Sequence, residues 1–178
     1  MAAEHPDLWV VGYGNPQRRD DGSGFRVATR LDRYFGEDRG VSVRAMHQLD
    51  PVLAEELQDA ETVLFVDATV ECLAEGRQWS RIRPEASELP GMTHHLGPAA
   101  LLGLMQSIHG RCPEGWMVSV QGEDFGFGEG LSGEGNRRAV RVTREIASYV
   151  SRKLIDKGER PNQSYTKQDR GSPRWPKG

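Results

Sequence analysis

Short apolar runs alternate along this chain with stretches of helical periodicity. Five runs have the length and composition of β-strands, at residues 8–12, 41–46, 63–66, 78–83 and 116–120. Helical segments are predicted to start at Ser23, at Asp50-Pro51, at Gly97-Pro98 and after Ser132, which is suited to cap the last helix. This alternation predicts an α/β fold, a single domain with a twisted, mostly parallel five-stranded sheet and helices on both faces. Ligands of such sheets gather at the carboxyl ends of the strands.

The length and charge distribution predict one domain followed by a polar tail. The chain has 178 residues, enough for one core, and we expect the domain to span residues 1–157. Residues 158–178 have no apolar periodicity and are rich in polar and basic residues, so we expect them to be disordered. Residues 157–178 carry a net charge of +4, which leaves −7 for residues 1–156. An acidic body disfavours a nucleic-acid partner.

The cysteines and the hydropathy of the chain indicate the cellular compartment in which the protein is expected. Cys72 and Cys112 are the two cysteines, and their wide separation fits neither a disulfide framework nor a zinc knuckle. No apolar run approaches the length of a membrane span. We therefore expect a cytoplasmic protein with no membrane partner, and a monomer.

The loop after the first predicted strand carries glycines and acids. Gly12-Tyr13-Gly14 suggests a dinucleotide-binding turn, but Gln17 stands where the third glycine belongs, and no acid closes the second strand. Asp20 and Asp21 follow, directly before a helix. Either carboxylate is suited to cap that helix, and either is suited to a functional site.

Asp67 and two of the histidines favour a functional site over helix capping as the role of these aspartates. Asp67 ends an apolar strand, where a carboxylate is costly unless it is paired or binds a metal. His94 and His95 precede the Pro98 helix; surface polarity or helix capping is the alternative for this pair. Together with Asp21 and Asp67, one of the two histidines completes a two-oxygen, one-nitrogen set that suits a divalent ion.

The other histidines and Cys72 are weaker candidates for the functional site. His47 ends the second predicted strand and has the reach to contribute to the site, whereas His109 ends a helix and is expected to be structural. His5 lies in the N-terminal segment and has no expected role. Cys72 follows Asp67 closely and is either a nucleophile or, as we favour, a partly buried inert thiol.

These motifs resemble, in order, those of the [NiFe]-hydrogenase maturation endopeptidases. The matching segments are Gly12-x-Gly14-Asn15, Asp20-Asp21-Gly22-x-Gly24, His47-Gln48-Leu49-Asp50-Pro51, Val66-Asp67-Ala68, His94-His95-Leu96-Gly97-Pro98 and Gly126-Phe127-Gly128-Glu129-Gly130-Leu131-Ser132. They span residues 8–154, and the tail has no counterpart among them.

The resemblance implies an endopeptidase that removes the C-terminal extension of a hydrogenase large-subunit precursor after nickel insertion. It implies that Asp21, Asp67 and His94 are the metal-binding and catalytic residues, with His95 as the alternative to His94. His94 is preferred because it stands two residues before Leu96. The nickel is then carried by the precursor rather than stored in the enzyme. A non-catalytic, nickel-sensing metallochaperone or assembly factor with the same ligands is the alternative function.

Overall fold

A computed structural model of the chain describes residues 6–36, 38, 40–85 and 96–158. The strands are β1 (Leu8–Tyr13), β2 (Val41–Met46), β3 (Thr62–Thr69), β4 (Arg77–Ile82) and β5 (Glu114–Gln121). The helices are α1 (Ser23–Phe35), α2 (Leu53–Glu56), α3 (Pro98–His109) and α4 (Gly133–Asp156), and a single 3-10 turn, Arg19–Gly22, precedes α1. All five predicted strands and all four predicted helices are therefore present, but α2 begins at Leu53 and not at Asp50-Pro51.

The strands form one sheet in the order β2-β1-β3-β5-β4. Every neighbouring pair is parallel except β4 and β5, which are antiparallel. The prediction of a mostly parallel five-stranded sheet is confirmed. Chain order reverses around β1, because β2 lies on one side of it and β3 on the other.

Helices cover both faces of the sheet, as predicted. One apolar cluster joins β-strand residues such as Val10 and Leu64 to α1 and α4, and it includes Leu31 and Ile146. The other cluster joins the opposite face of the sheet to α2 and α3, through residues such as Phe65 and Met105. The alternation of strand side chains between these two clusters fixes which face each strand residue occupies.

Close backbone contact places α1 against the first strand. A Cβ atom added to Gly24 would lie 2.1 Å from the carbonyl oxygen of Val66. One added to Gly12 would lie 2.1 Å from the carbonyl oxygen of Gly24. The two glycines therefore let α1 begin directly against β1 and β3, and this proximity sets the position of the turn that carries Asp20 and Asp21.

Two elements differ from their predicted extents. β3 continues to Thr69, so Asp67 lies within the strand rather than after it, paired in register with Ser119 of β5. The segment from Asp50 to Leu57 contains only one helical turn, α2, and the Asp50 side chain accepts a hydrogen bond from the Val52 amide at 2.8 Å. No helix in the described ranges has the length and apolarity to cross a bilayer.

Candidate functional site

The candidate site lies where the strand order reverses, between the carboxyl ends of β1 and β3. In open α/β sheets this position leaves a crevice, because the chain departs from the two strands in opposite directions. The loop after β1 carries Asp21, and β3 carries Asp67, so both predicted carboxylates belong to this edge. The loop that links β5 to α4 adjoins the same edge.

Asp67 is a largely buried carboxylate on the α2/α3 face of the sheet. Its Oδ1 accepts a hydrogen bond from the backbone N–H of Ala68 at 2.7 Å. Burial raises the pKa of Asp67 to about 6, and the charge of Asp21 adds to that rise. The Ala68 amide and the Tyr13 hydroxyl oppose this rise in the pKa of Asp67. Asp21 thus lies close enough to Asp67 for its charge to act on that carboxyl.

Asp21 lies in the 3-10 turn before α1 and is positioned from within its own loop. The backbone N–H of Asn15 donates to Asp21 Oδ2 at 3.0 Å, and the Asn15 side chain accepts from the Gln17 amide at 2.9 Å. Asn15 therefore closes the loop onto the Asp21 carboxylate. This arrangement gives the asparagine of the Gly-x-Gly-Asn motif a structural reason.

Asp20 is fully buried and points away from the Asp21–Asp67 pair. Its carboxylate accepts from the backbone N–H groups of Glu123 (2.8 Å), Asp124 (3.1 Å) and Ser132 (2.7 Å) and from the Ser132 hydroxyl (2.7 Å). Burial alone would raise the pKa of Asp20, but these hydrogen bonds outweigh it and the pKa lies below its ordinary value. Asp20 thus fixes the β5–α4 loop to the first loop.

The helix-capping explanation for the two aspartates is wrong. The N-cap residue of α1 is Gly22, and no side chain caps that helix. The predicted cap at Ser132 is confirmed, since its hydroxyl accepts from the Gly135 amide at 3.0 Å at the start of α4.

Tyr13 is a site residue that the sequence did not single out. It ends β1, and its hydroxyl lies near enough to Asp67 to act on the pKa of that carboxyl. Burial raises the pKa of Tyr13 far above its ordinary value, and the Asp67 charge and hydrogen bond raise it further. The Tyr13 phenol therefore stays protonated beside the carboxylate.

The predicted histidine ligands, His94 and His95, lie outside the described residues. The chain is described again from Leu96, which packs against the same apolar cluster as Tyr13. The chain therefore enters α3 on the face of the sheet that carries Asp67. In the described part of the chain, no three His, Cys, Asp or Glu residues form a group that could hold a metal ion.

The other histidines lie against neighbouring elements. His47 is exposed, and its ring packs edge-on against Phe25, with 5.5 Å between centroids. His109 ends α3 as predicted, and Gly110 closes the helix in the left-handed conformation. His109 Nε2 lies 3.6 Å from a Glu55 carboxylate oxygen, which fits a structural role between α3 and α2.

Both described cysteines are free thiols, in agreement with the absence of a disulfide pattern. Cys112 is half-buried, and burial raises the pKa of its thiol. Cys72 is exposed, so the expectation that it is partly buried was wrong. The residue lies in the turn after β3, beyond the last strand pair with β5, where it has no sheet neighbour to cover it.

Together, these features define an open α/β domain with a pair of carboxylates at the point where the strand order reverses. Solved structures with this fold include the [NiFe] hydrogenase maturation protease HycI from Thermococcus kodakarensis. That structure superposes with a TM-score of 0.61 at 22% sequence identity, covering 79% of this chain and 90% of that chain.

Two further structures show the same likeness. A hydrogenase 2 maturation peptidase from a Thaumarchaeota archaeon has a TM-score of 0.58 and 24% identity, covering 80% of this chain and 97% of its own. The hydrogenase maturating endopeptidase HybD from E. coli has a TM-score of 0.56 and 19% identity, covering 85% and 93%. No family model and no curated protein matches the sequence. At these identities, the likeness establishes the fold.

Proposed function

We propose that this chain is an endopeptidase that removes the C-terminal extension of a [NiFe]-hydrogenase large-subunit precursor. Three observations support the proposal: the fold shared with structures named as maturation proteases, the order of the motifs, and the carboxylate pair at the sheet edge. The pair carries the most weight, because it is a feature of the site and not of the fold alone.

We propose that Asp21, Asp67 and His94 contact the nickel ion held by the precursor. Two carboxylates near each other in a partly buried crevice carry an electrostatic cost when both are ionised. Burial is the main cause of the raised pKa of Asp67, and the charge of Asp21 adds to it. A divalent cation removes the cost by neutralising both charges. Carboxylates plus an imidazole suit a borderline ion such as nickel. The precursor then binds well only when it brings the ion with it.

Specificity for loaded precursor follows from this division of ligands. The enzyme supplies ligands on separate loops, and the precursor supplies the ion together with its own ligands. The complete coordination shell exists only in the complex, so precursor that lacks nickel loses a large part of its binding energy. The enzyme thereby cuts after nickel insertion and not before it.

Processing of purified, nickel-loaded precursor by variant enzymes tests the proposal. Asp21→Asn, Asp67→Asn and His94→Ala should each reduce kcat/KM by about 100-fold or more, the range expected for lost ligands. Cys72→Ser is the control and should leave processing unchanged, because its thiol has no part in the proposed site. A large loss in Cys72→Ser with retained folding would instead identify a cysteine nucleophile.

Two other outcomes separate the alternatives. If wild-type enzyme binds loaded precursor but leaves it uncut, the chain is a non-catalytic assembly factor. His95→Ala is the matched variant for His94→Ala, and a greater loss in His95→Ala would move the proposed ligand by one residue.

A further inference from the structure

We propose that Tyr13 is a positioning residue that fixes the Asp67 carboxylate in the direction in which it meets the nickel of the precursor. The role rests on the proposed function, since it concerns the same carboxylate. Tyr13 itself does not contact the ion; it acts through Asp67.

The sheet register places Tyr13 beside Asp67. Gly12 of β1 pairs with Val66 of β3 in parallel register, so the next residues along, Tyr13 and Asp67, are lateral neighbours. Lateral neighbours in a sheet project to the same face. The apolar cluster confirms the face, because Tyr13 packs with residues that contact α2 and α3, and Phe65 of β3 belongs to that cluster. On this face the Tyr13 hydroxyl lies near enough to the Asp67 carboxylate for each group to act on the pKa of the other.

The Tyr13 backbone is held firmly on both sides. Gly12 is in close contact with Gly24 at the start of α1, and the Gly14 amide donates to the Met46 carbonyl at 3.2 Å. Tyr13 also pairs with Met46 in the β1–β2 ladder. The phenol therefore projects from a fixed backbone and its ring is partly buried, so the hydroxyl lies at a defined point.

Donors on two different strands are placed to orient the carboxylate. The Ala68 amide donates to Asp67 Oδ1 at 2.7 Å from within β3, and in the proposed role the Tyr13 hydroxyl donates to the same carboxylate from β1. A carboxylate held by one donor swings about that bond, whereas two donors in different directions fix its plane. Ligand groups of metal sites depend on such outer hydrogen bonds for both orientation and affinity.

Among the described contacts, no group on a strand donates a hydrogen bond to the Asp21 carboxylate. Its bond comes from Asn15 in its own loop. The pair thus combines a carboxylate fixed by the sheet with one carried by a loop. We infer that Asp67 sets the position of the ion and that Asp21 adjusts to it.

The test compares Tyr13→Phe, Asp67→Ala and the double variant with wild type, using the full-length chain. Tyr13→Phe keeps the ring and removes only the hydroxyl. The matched control is Tyr149→Phe, the same change at a partly buried tyrosine on α4 that packs against Trp79 on the opposite face of the sheet. Three quantities are measured for each variant: the equilibrium constant of unfolding in urea at pH 8, and KM and kcat for nickel-loaded precursor.

Tyr13→Phe should raise KM for loaded precursor about 10-fold with little change in kcat, because the carboxylate is misdirected but not lost. Tyr149→Phe should change neither KM nor kcat more than about twofold, because it leaves the site intact. Tyr13→Phe changes the equilibrium constant of unfolding by some factor in each background. That factor should differ at least about threefold between the wild-type and Asp67→Ala backgrounds, because the two side chains interact.

The outcomes are separable from those of the proposed function. Additive effects in unfolding, or an unchanged KM in Tyr13→Phe, would overturn the positioning role. If wild-type enzyme leaves loaded precursor uncut, the proposed function fails, and the unfolding comparison still decides whether Tyr13 holds Asp67.

Discussion

Two adjacent aspartates have different surroundings in this molecule. Asp20 is buried and accepts four hydrogen bonds from the loop that leads into α4, whereas Asp21 accepts one from its own loop and interacts electrostatically with Asp67. The first carboxylate therefore holds the fold, and the second is available to a ligand.

Asparagine substitutions of the two aspartates should separate these roles. Asp20→Asn places an amide donor against backbone donors and should lower the free energy of unfolding by about 2–4 kcal/mol. Asp21→Asn retains an acceptor for the Asn15 amide and should change it by less than about 1 kcal/mol. Urea denaturation at pH 7 measures both values. Equal destabilisation by the two changes would contradict the assignment of Asp20 to the fold.

Asp67 should make stability depend on pH. Its pKa is about 6 in the folded protein, above the ordinary value of 3.8, so the folded state binds the proton more tightly than the unfolded state. The stabilisation due to the protonated group is fully present below the unfolded pKa, and it is lost as pH rises through the folded pKa. Wild type should therefore lose about 1–3 kcal/mol relative to Asp67→Asn between pH 4 and pH 8.

Urea denaturation of both proteins across this pH range measures that difference. Asp67→Asn serves as the non-titrating reference, so contributions from distant groups cancel. A difference that stays constant across the range would show that Asp67 does not have a raised pKa.

At the scale of elements, the first turn of α4 is built around Asp20. A Cβ atom on Gly135 would lie 2.2 Å from Asp20 Oδ1, whereas one on Gly133 would have its nearest neighbour, Arg137 Nη1, at 3.8 Å. Both glycines lie in the same turn of the same helix, so alanine at either position gives a similar gain in helix propensity. Only the substitution at Gly135 collides with the carboxylate.

Gly135→Ala should lower the free energy of unfolding by about 2 kcal/mol or more, because Asp20 must give up part of its hydrogen bonding. Gly133→Ala should leave it within about 1 kcal/mol of wild type. Thermal or urea denaturation of the pair gives the comparison directly. A stable Gly135→Ala protein would mean that α4 does not dock on Asp20 as described.

The elements themselves were predictable because each has a local signature. Apolar runs located the five strands, and Pro98 and Ser132 located two helix starts. The extension of β3 was not predictable, because Asp67 and Thr69 are held in the strand by pairing with β5, about 50 residues away in the sequence. The sequence likewise did not show that α2 would be a single turn.

The site was predictable only in part, for the same reason. Asp21 and Asp67 stood out as carboxylates next to apolar runs, and in the structure the charge of Asp21 acts on Asp67. The partners of Asp20 lie more than 100 residues away, so no local pattern could reveal them. Tyr13 was overlooked because its role depends on the register between β1 and β3, which the sequence alone does not specify.

At the scale of the whole molecule, ion pairs join the end of α4 to the segments before β1 and β3. Lys157 Nζ lies 2.6 Å from carboxylate oxygens of both Asp7 and Glu61, and Gly158 follows with φ +82. These ion pairs join the end of α4 to the beginning of β1 and the segment before β3. A chain that stops after Gly158 retains all of these contacts.

Deletion of residues 159–178 should therefore change the free energy of unfolding by less than about 1 kcal/mol, because this segment has no apolar periodicity with which to join the core. Urea denaturation of the shortened and full-length proteins provides the measurement, and Lys157→Ala in the shortened protein is a control for the ion pairs. A loss above about 2 kcal/mol on deletion would show that the tail packs on the domain.

The sheet edge brings the molecule's proposed function to one place. The first loop, β3 and the β5–α4 loop meet there, and Asp20 joins the two loops through hydrogen bonds. In the proposed function, Asp21 and Asp67 contact the substrate at this edge. In the proposed function, the nickel ion belongs to the substrate and not to the enzyme. The proposed function therefore predicts a dependence on the state of the precursor and not on metal in the enzyme.

The most direct measurement mixes metal-free enzyme with two samples of the same precursor, one loaded with nickel and one without, and follows release of the C-terminal extension by mass spectrometry. The account predicts rapid cleavage of the loaded precursor alone, with no requirement for metal added to the enzyme. Equal cleavage of both precursors, or cleavage only after the enzyme itself is loaded with a metal such as zinc, would contradict it.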